Sequence, residues 1–123
     1  MTKQALVVDD DMVARLVLAH VLRREGWDVM EASDVNEAAT LVETHHPTVV
    51  LADFSMPGGT GEDLARRLAE GPDRPAFVLI TGLVDHPAPP EETGGHIDAY
   101  LTKPATTSSV IGCLRQLGLD ATS

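Results

Sequence analysis

The sequence is short of cysteine, of basic residues and of long apolar runs, and each shortage closes a route. Cys113 is the only cysteine, so no disulfide can form within the chain, and the reducing cytoplasm is the expected compartment. Nine Lys and Arg stand against 19 Asp and Glu, for a net charge of −10, and no Lys/Arg run occurs. Direct DNA or RNA binding is therefore a poor expectation. No apolar run is long enough to cross a bilayer, and Met1-Thr2-Lys3-Gln4 leads straight into an apolar strand rather than a signal peptide, so no membrane partner is expected. Internal repeats, low-complexity segments and linkers are also missing. At 123 residues, 43% of them apolar, the chain is expected to be one domain over 1–123 with one core and without an output domain.

What is present alternates. Ala5 to Val8, Trp27 to Ala32, Thr48 to Ala52, Phe77 to Ile80 and Ala99 to Thr102 read as strands, mostly as continuous apolar runs. Between them lie helical spacings. Val13, Leu16, Val17 and Val21 share one face of a first helix, which Asp11 can cap and Gly26 can end. Ser33-Asp34 with Glu37 opens a second helix carrying Val35, Ala38, Ala39 and Val42. Met56-Pro57-Gly58-Gly59 reads as a loop, and Thr60 with Asp63 starts a third helix with Leu64, Ala65 and Leu68. A last helix carries Val110, Ile111, Leu114 and Leu117. Strands alternating with helices imply right-handed crossovers and a doubly wound five-stranded parallel sheet, an α/β fold.

One crossover breaks the pattern. Leu83 to His96 contains Pro87, Pro89, Pro90, Gly94 and Gly95. An interior proline costs a helix about 3 kcal/mol, so the fourth helix is expected to be short or missing.

Ligands of an open parallel sheet bind beyond the carboxyl ends of its strands. The first strand leaves Asp9 and Asp10 there, the third Asp53, the fourth Thr81 and the fifth Lys103. Two carboxylates about 5 Å apart repel by roughly 3 kcal/mol at an effective dielectric near 20, and one lysine cannot offset three such pairs. A divalent cation can. Oxygen-only ligands favour Mg²⁺, with Mn²⁺ as the substitute, and the ion would also neutralise an incoming phosphoryl group. Asp53 could attack phosphorus while Lys103 and the Thr81 hydroxyl hold the remaining oxygens. Asp11 is expected only to cap its helix. The five histidines lack metal-ligand spacing and read as surface, and Cys113 reads as a small core hydrophobe.

Four pieces, Val7-Val8-Asp9-Asp10, Asp53 with Met56-Pro57 and Gly61, Leu79-Ile80-Thr81-Gly82, and Tyr100-Leu101-Thr102-Lys103-Pro104, together resemble the receiver domain of two-component response regulators. The resemblance covers nearly the whole chain. It implies a flavodoxin-like strand order 2-1-3-4-5. It implies phosphorylation of Asp53 by a histidine kinase or a histidine phosphotransfer protein, in a module that catalyses only its own phosphorylation and dephosphorylation. Asp10, Asp53 and the Ser55 backbone carbonyl would hold Mg²⁺, with Asp9 acting mostly through water. Thr81, Gly82 and Lys103 would surround the phosphoryl group, Thr81 and Tyr100 would form the switch, and the Lys103–Pro104 peptide would be cis. Gly82 stands where alanine is more usual.

Three other classes compete. A haloacid dehalogenase-type phosphatase wants a second aspartate two residues after the nucleophile, where this chain has Ser55. A receiver-like interaction module that takes no phosphate is favoured only by the odd fourth crossover. Flavodoxin-like electron transfer would set an FMN phosphate against Asp9, Asp10 and Asp11, which repel it.

Overall fold

Aliphatic runs with little interruption pair side by side. In the computed structural model, which describes residues 3–71, 74–82 and 96–120, these runs form β1 (Gln4–Val8), β2 (Asp28–Ala32), β3 (Val49–Asp53), β6 (Ala76–Thr81) and β7 (Ala99–Thr102). They make one parallel sheet in the order β2-β1-β3-β6-β7. A separate antiparallel ribbon of β4 (Ser55–Met56) and β5 (Gly59–Thr60) takes two numbers, so the sheet order is the expected 2-1-3-4-5. That ribbon sits where the sequence suggests a plain loop. Gly58 and Gly59 turn it at φ 80° and 157°, which a side chain would resist.

Among the described residues the helices are α1 (Met12–Arg24), α2 (Val35–His45), α3 (Gly61–Ala69) and α4 (Thr107–Gln116). Period-2 alternation splits each strand between two cores. Leu6, Val8, Val50, Ala52, Phe77 and Leu79 face α2 and α3. Ala5, Val7, Val49, Leu51, Val78, Ile80 and Leu101 face α1 and α4. Cys113 belongs to the second core, where burial pushes its thiol pKa up and keeps it an unreactive hydrophobe. The expectation about the fourth crossover falls on residues 83–95, which lie outside the described residues.

Helix α1 corrects the sequence reading. Its helical span and its cap are as expected, with Asp11 accepting from the Val13 and Ala14 amides. Of the apolar face read from the sequence, however, Val13 is 66% exposed, Leu16 47% and Val17 58%, and only Val21 is half-buried; Met12 beside them is 59% exposed. The helix instead buries Ala19 and Leu22. Two apolar stripes satisfy the same 3.6-residue period, and β2 packing selects the smaller one.

Helix α3 opens on a capping box. Thr60 Oγ1 accepts from the Asp63 amide and Asp63 Oδ2 accepts from the Thr60 amide. Thr60→Ala is expected to cost about 1 kcal/mol in urea unfolding. The Thr60 N–H holds the Asp63 carboxyl below its ordinary 3.8, with Arg66 helping. Its contribution is therefore complete above pH 3.8 and fades as pH falls through the lower folded-state value. The stability gap between wild type and Asp63→Ala should close along that descent; a gap that widens would refute the sign.

Candidate functional site

The alternation that builds the second core also builds the site. Three rows, Ala5–Val7–Asp9, Val49–Leu51–Asp53 and Ala99–Leu101–Lys103, run up the α1/α4 face of the sheet and turn polar at their last member. Hydrogen bonds lock the tips together. The Phe54 N–H donates to the Ile80 carbonyl at 2.9 Å, the Lys103 N–H to the Thr81 carbonyl at 2.8 Å, and the Asp9 N–H to the Ala32 carbonyl at 3.1 Å.

Asp53 is 5% exposed. Lys103 Nζ lies 2.6 Å from its Oδ1, in a contact that charge rather than hydrogen-bond alignment sustains. Carboxylate oxygens of Asp9, Asp10 and Asp53 all lie within 4.8 Å of one another. Burial raises the Asp9 carboxyl above its ordinary 3.8. The Asp11 N–H bond and Lys103 oppose that rise, while the charges of Asp53 and Asp10 add to it. Three acids against one lysine leave the pocket negative. An all-oxygen set of this kind suits a hard divalent cation such as Mg²⁺ or Mn²⁺, and the described residues form no other cluster of three acidic, His or Cys ligands.

The remaining predicted residues sit around this pocket. Thr81 is buried at the end of β6, one residue beyond Ile80, the register partner of Asp53, and half-buried Gly82 follows it. Half-buried Tyr100 lies on the same sheet face as Thr81, diagonally across β6 and β7, and its buried hydroxyl has no hydrogen-bond partner among the described residues. Ser55 is exposed in the ribbon two residues after Asp53. The Lys103–Pro104 peptide is cis. Gly61 closes the floor: its N–H donates to the Phe54 carbonyl at 2.8 Å, and a Cβ there would lie 2.6 Å from the Asp53 carbonyl oxygen and against Leu79 Cδ1.

Two features escaped the sequence reading. A groove of roughly 610 Å³ runs from Asp9 and Lys103 along Ala14, Val17 and Val21 of α1, beside the outward stripe. Arg15, six residues after Asp9, donates to the Asp9 carbonyl and pairs with Glu31. The faint signal for that pair was Glu31, an acid inside the second strand.

The fold and this pocket define a doubly wound α/β domain with an acidic site at the carboxyl ends of its strands. The chain belongs to the response regulator receiver domain family, whose model matches residues 5–115. It is 33% identical over 110 residues to transcriptional regulatory protein PdtaR of Mycobacterium tuberculosis, covering 89% of this chain and 53% of that protein. It is 31% identical over 117 residues to the phosphate regulon transcriptional regulatory protein PhoB of Pseudomonas aeruginosa, covering 92% and 50%. The chain thus spans about half the length of these relatives. A CheY-like receiver domain structure from Methylobacillus flagellatus superposes with a TM-score of 0.86 at 24% identity, covering 95% of this chain and 99% of that one. Domains of this family are signalling modules of two-component systems, not enzymes in the ordinary sense.

Proposed function

We propose that Asp53 is a phosphoacceptor, taking a phosphoryl group from the phosphohistidine of a histidine kinase or histidine phosphotransfer protein. The observation that carries this reading is the buried Asp53 carboxylate with Lys103 at 2.6 Å and two further carboxylates within 4.8 Å. An Asp53 oxygen attacks phosphorus, the P–N bond breaks, and its electron pair leaves on the imidazole nitrogen. Lys103 meets the charge on the transferred oxygens, and the Thr81 hydroxyl and Gly82 lie beyond it at the end of β6. Asp9, Asp10, Asp53 and the Ser55 carbonyl would hold Mg²⁺ or Mn²⁺, which when bound supplies the positive charge that three carboxylates and a phosphoryl group lack. Thr81 and Tyr100 share a sheet face, which supports their pairing as the switch.

Incubation with acetyl phosphate and Mg²⁺ is expected to add one phosphoryl group by mass, and chelation of the metal to prevent it. No gain from acetyl phosphate or from a kinase would favour the interaction module. Multiple turnovers of phosphate esters would favour the phosphatase.

The groove and the outward stripe of α1 adjoin Asp9 and Lys103, which supports approach of a helical phosphodonor along α1. Val17→Glu places a charge in that path. We expect it to slow transfer from a protein phosphohistidine at least about tenfold more than it slows labelling by acetyl phosphate. Equal slowing of both would remove α1 from the docking face.

A further inference from the structure

We propose that Arg15 is a positioning residue for the acidic pocket: braced by Glu31, it fixes the peptide that joins Asp9 to Asp10. This inference concerns the pocket of the phosphotransfer reading and rests on that reading for its consequence in cation binding.

The geometry is specific. Arg15 Nη1 donates to the Asp9 carbonyl at 3.0 Å, while its Nε donates to Glu31 Oε1 at 3.1 Å. The other Glu31 oxygen accepts from Arg23 Nη2 at 3.3 Å, and that nitrogen also reaches the Val29 carbonyl at 3.1 Å. Arg15 and Glu31 are mostly sheltered, with side chains 18% and 23% exposed. Two ends of the guanidinium are therefore held apart, one by β2 and one by the turn after β1.

The turn needs that hold. The β1–β3 ladder ends at Val8 and Ala52, before the Asp9 carbonyl. The Asp9 N–H is fixed by the Ala32 carbonyl, and its carboxylate by the Asp11 N–H at 2.9 Å. The carbonyl is held by Arg15. A peptide unit is planar, so the Asp9 C=O and the Asp10 N–H turn together. Releasing the carbonyl frees the plane that aims Asp10 at its neighbours. Glu31, shared with Arg23, draws the arginine's charge toward β2, and Lys103 is the cation placed against Asp53. Arg15 thus acts through geometry.

The test compares the full chain with Arg15→Ala, Arg15→Lys and Arg23→Ala. Mn²⁺ affinity is read by electron paramagnetic resonance, and amide exchange at Asp10 and Asp11 is read in metal-free protein. Both Arg15 variants are expected to bind Mn²⁺ about tenfold more weakly and to exchange those two amides faster. Lysine lacks the rigid fork whose Nε and Nη1 meet Glu31 and the Asp9 carbonyl separately, so Arg15→Lys serves even where Arg15→Ala fails to fold. Arg23→Ala loses a bond to the same Glu31 but none to Asp9, and should keep wild-type affinity and exchange at those amides. Wild-type values in both Arg15 variants, or matching losses in Arg23→Ala, would overturn the proposal. Should the wild type bind no Mn²⁺, the phosphotransfer reading fails, and exchange at Asp10 and Asp11 still decides whether Arg15 holds the turn.

Discussion

Asp53→Asn is expected to abolish phosphoryl uptake from acetyl phosphate and, in metal-free protein, to raise the thermal midpoint by a few degrees. The first effect follows from chemistry, since an amide oxygen is a poor nucleophile toward phosphorus. The second follows from charge. Asp53 is buried beside two other carboxylates, and Lys103, with 45% of its side chain exposed, is rehydrated at little cost when its partner goes. At an effective dielectric near 20 the Asp9–Asp53 repulsion alone is roughly 3 kcal/mol, while water screens exposed Asp10. The attraction to Lys103 is lost as well, but that lysine regains water, and a neutral amide no longer carries the cost of burying a charge at a position 5% exposed, so the midpoint should rise by a few degrees. The Asp9 carboxyl should also titrate lower by NMR. The fall is partial, because burial, the larger cause of its raised pKa, persists. Wild-type Asp9 is ionised at a cost to the fold at neutral pH, and that cost is relieved as pH drops through its raised folded-state value toward 3.8. A mutant that still takes phosphate, or that melts lower, would contradict the role given to Asp53.

Gly61→Ala is expected to be the most damaging single-methyl change in the described residues. Two effects of opposite sign meet there. Alanine in a helix is worth up to about 1 kcal/mol over glycine. The added Cβ, however, would sit 2.6 Å from the Asp53 backbone oxygen and against Leu79 Cδ1. The peptide that carries this oxygen is tied to β6 through the Phe54 N–H, so it shifts only at a cost, and overpacking of about 3 kcal/mol prevails. Thermal unfolding should fall by roughly ten degrees, and on the proposed reading phosphoryl uptake should suffer with it, because the displaced oxygen belongs to Asp53. Gly112 in α4 is the control: no atom lies within 4 Å of its Cβ position, so Gly112→Ala should stabilise by up to about 1 kcal/mol. Equal responses at the two glycines would show that propensity, not space, governs both.

The pocket was legible in the sequence because the strand period is rigid. Once Val7, Leu51 and Leu101 face one core, Asp9, Asp53 and Lys103 must follow them over the same edge. Helix α1 was not legible in the same way. Its outward stripe of Val13, Leu16 and Val17 competes with the face it buries through Ala19 and Leu22, and only packing against β1 and β2 decides which side fits. The ribbon of Ser55–Met56 and Gly59–Thr60 is too short for any period to show. The Arg15–Glu31 pair spans 16 residues and two elements, and no spacing rule within one element can find it.

Backbone bonds at the strand tips bear on how a signal could leave the site. Phe54 is tied to Ile80, and Lys103 to Thr81, so β3 and β7 are both moored to β6. A new charge on Asp53 could not be relieved by parting those three strands without breaking their ladder. Motion would fall instead to rotatable side chains at the rim and to the segments that leave it, with the sheet acting as an anvil rather than a spring.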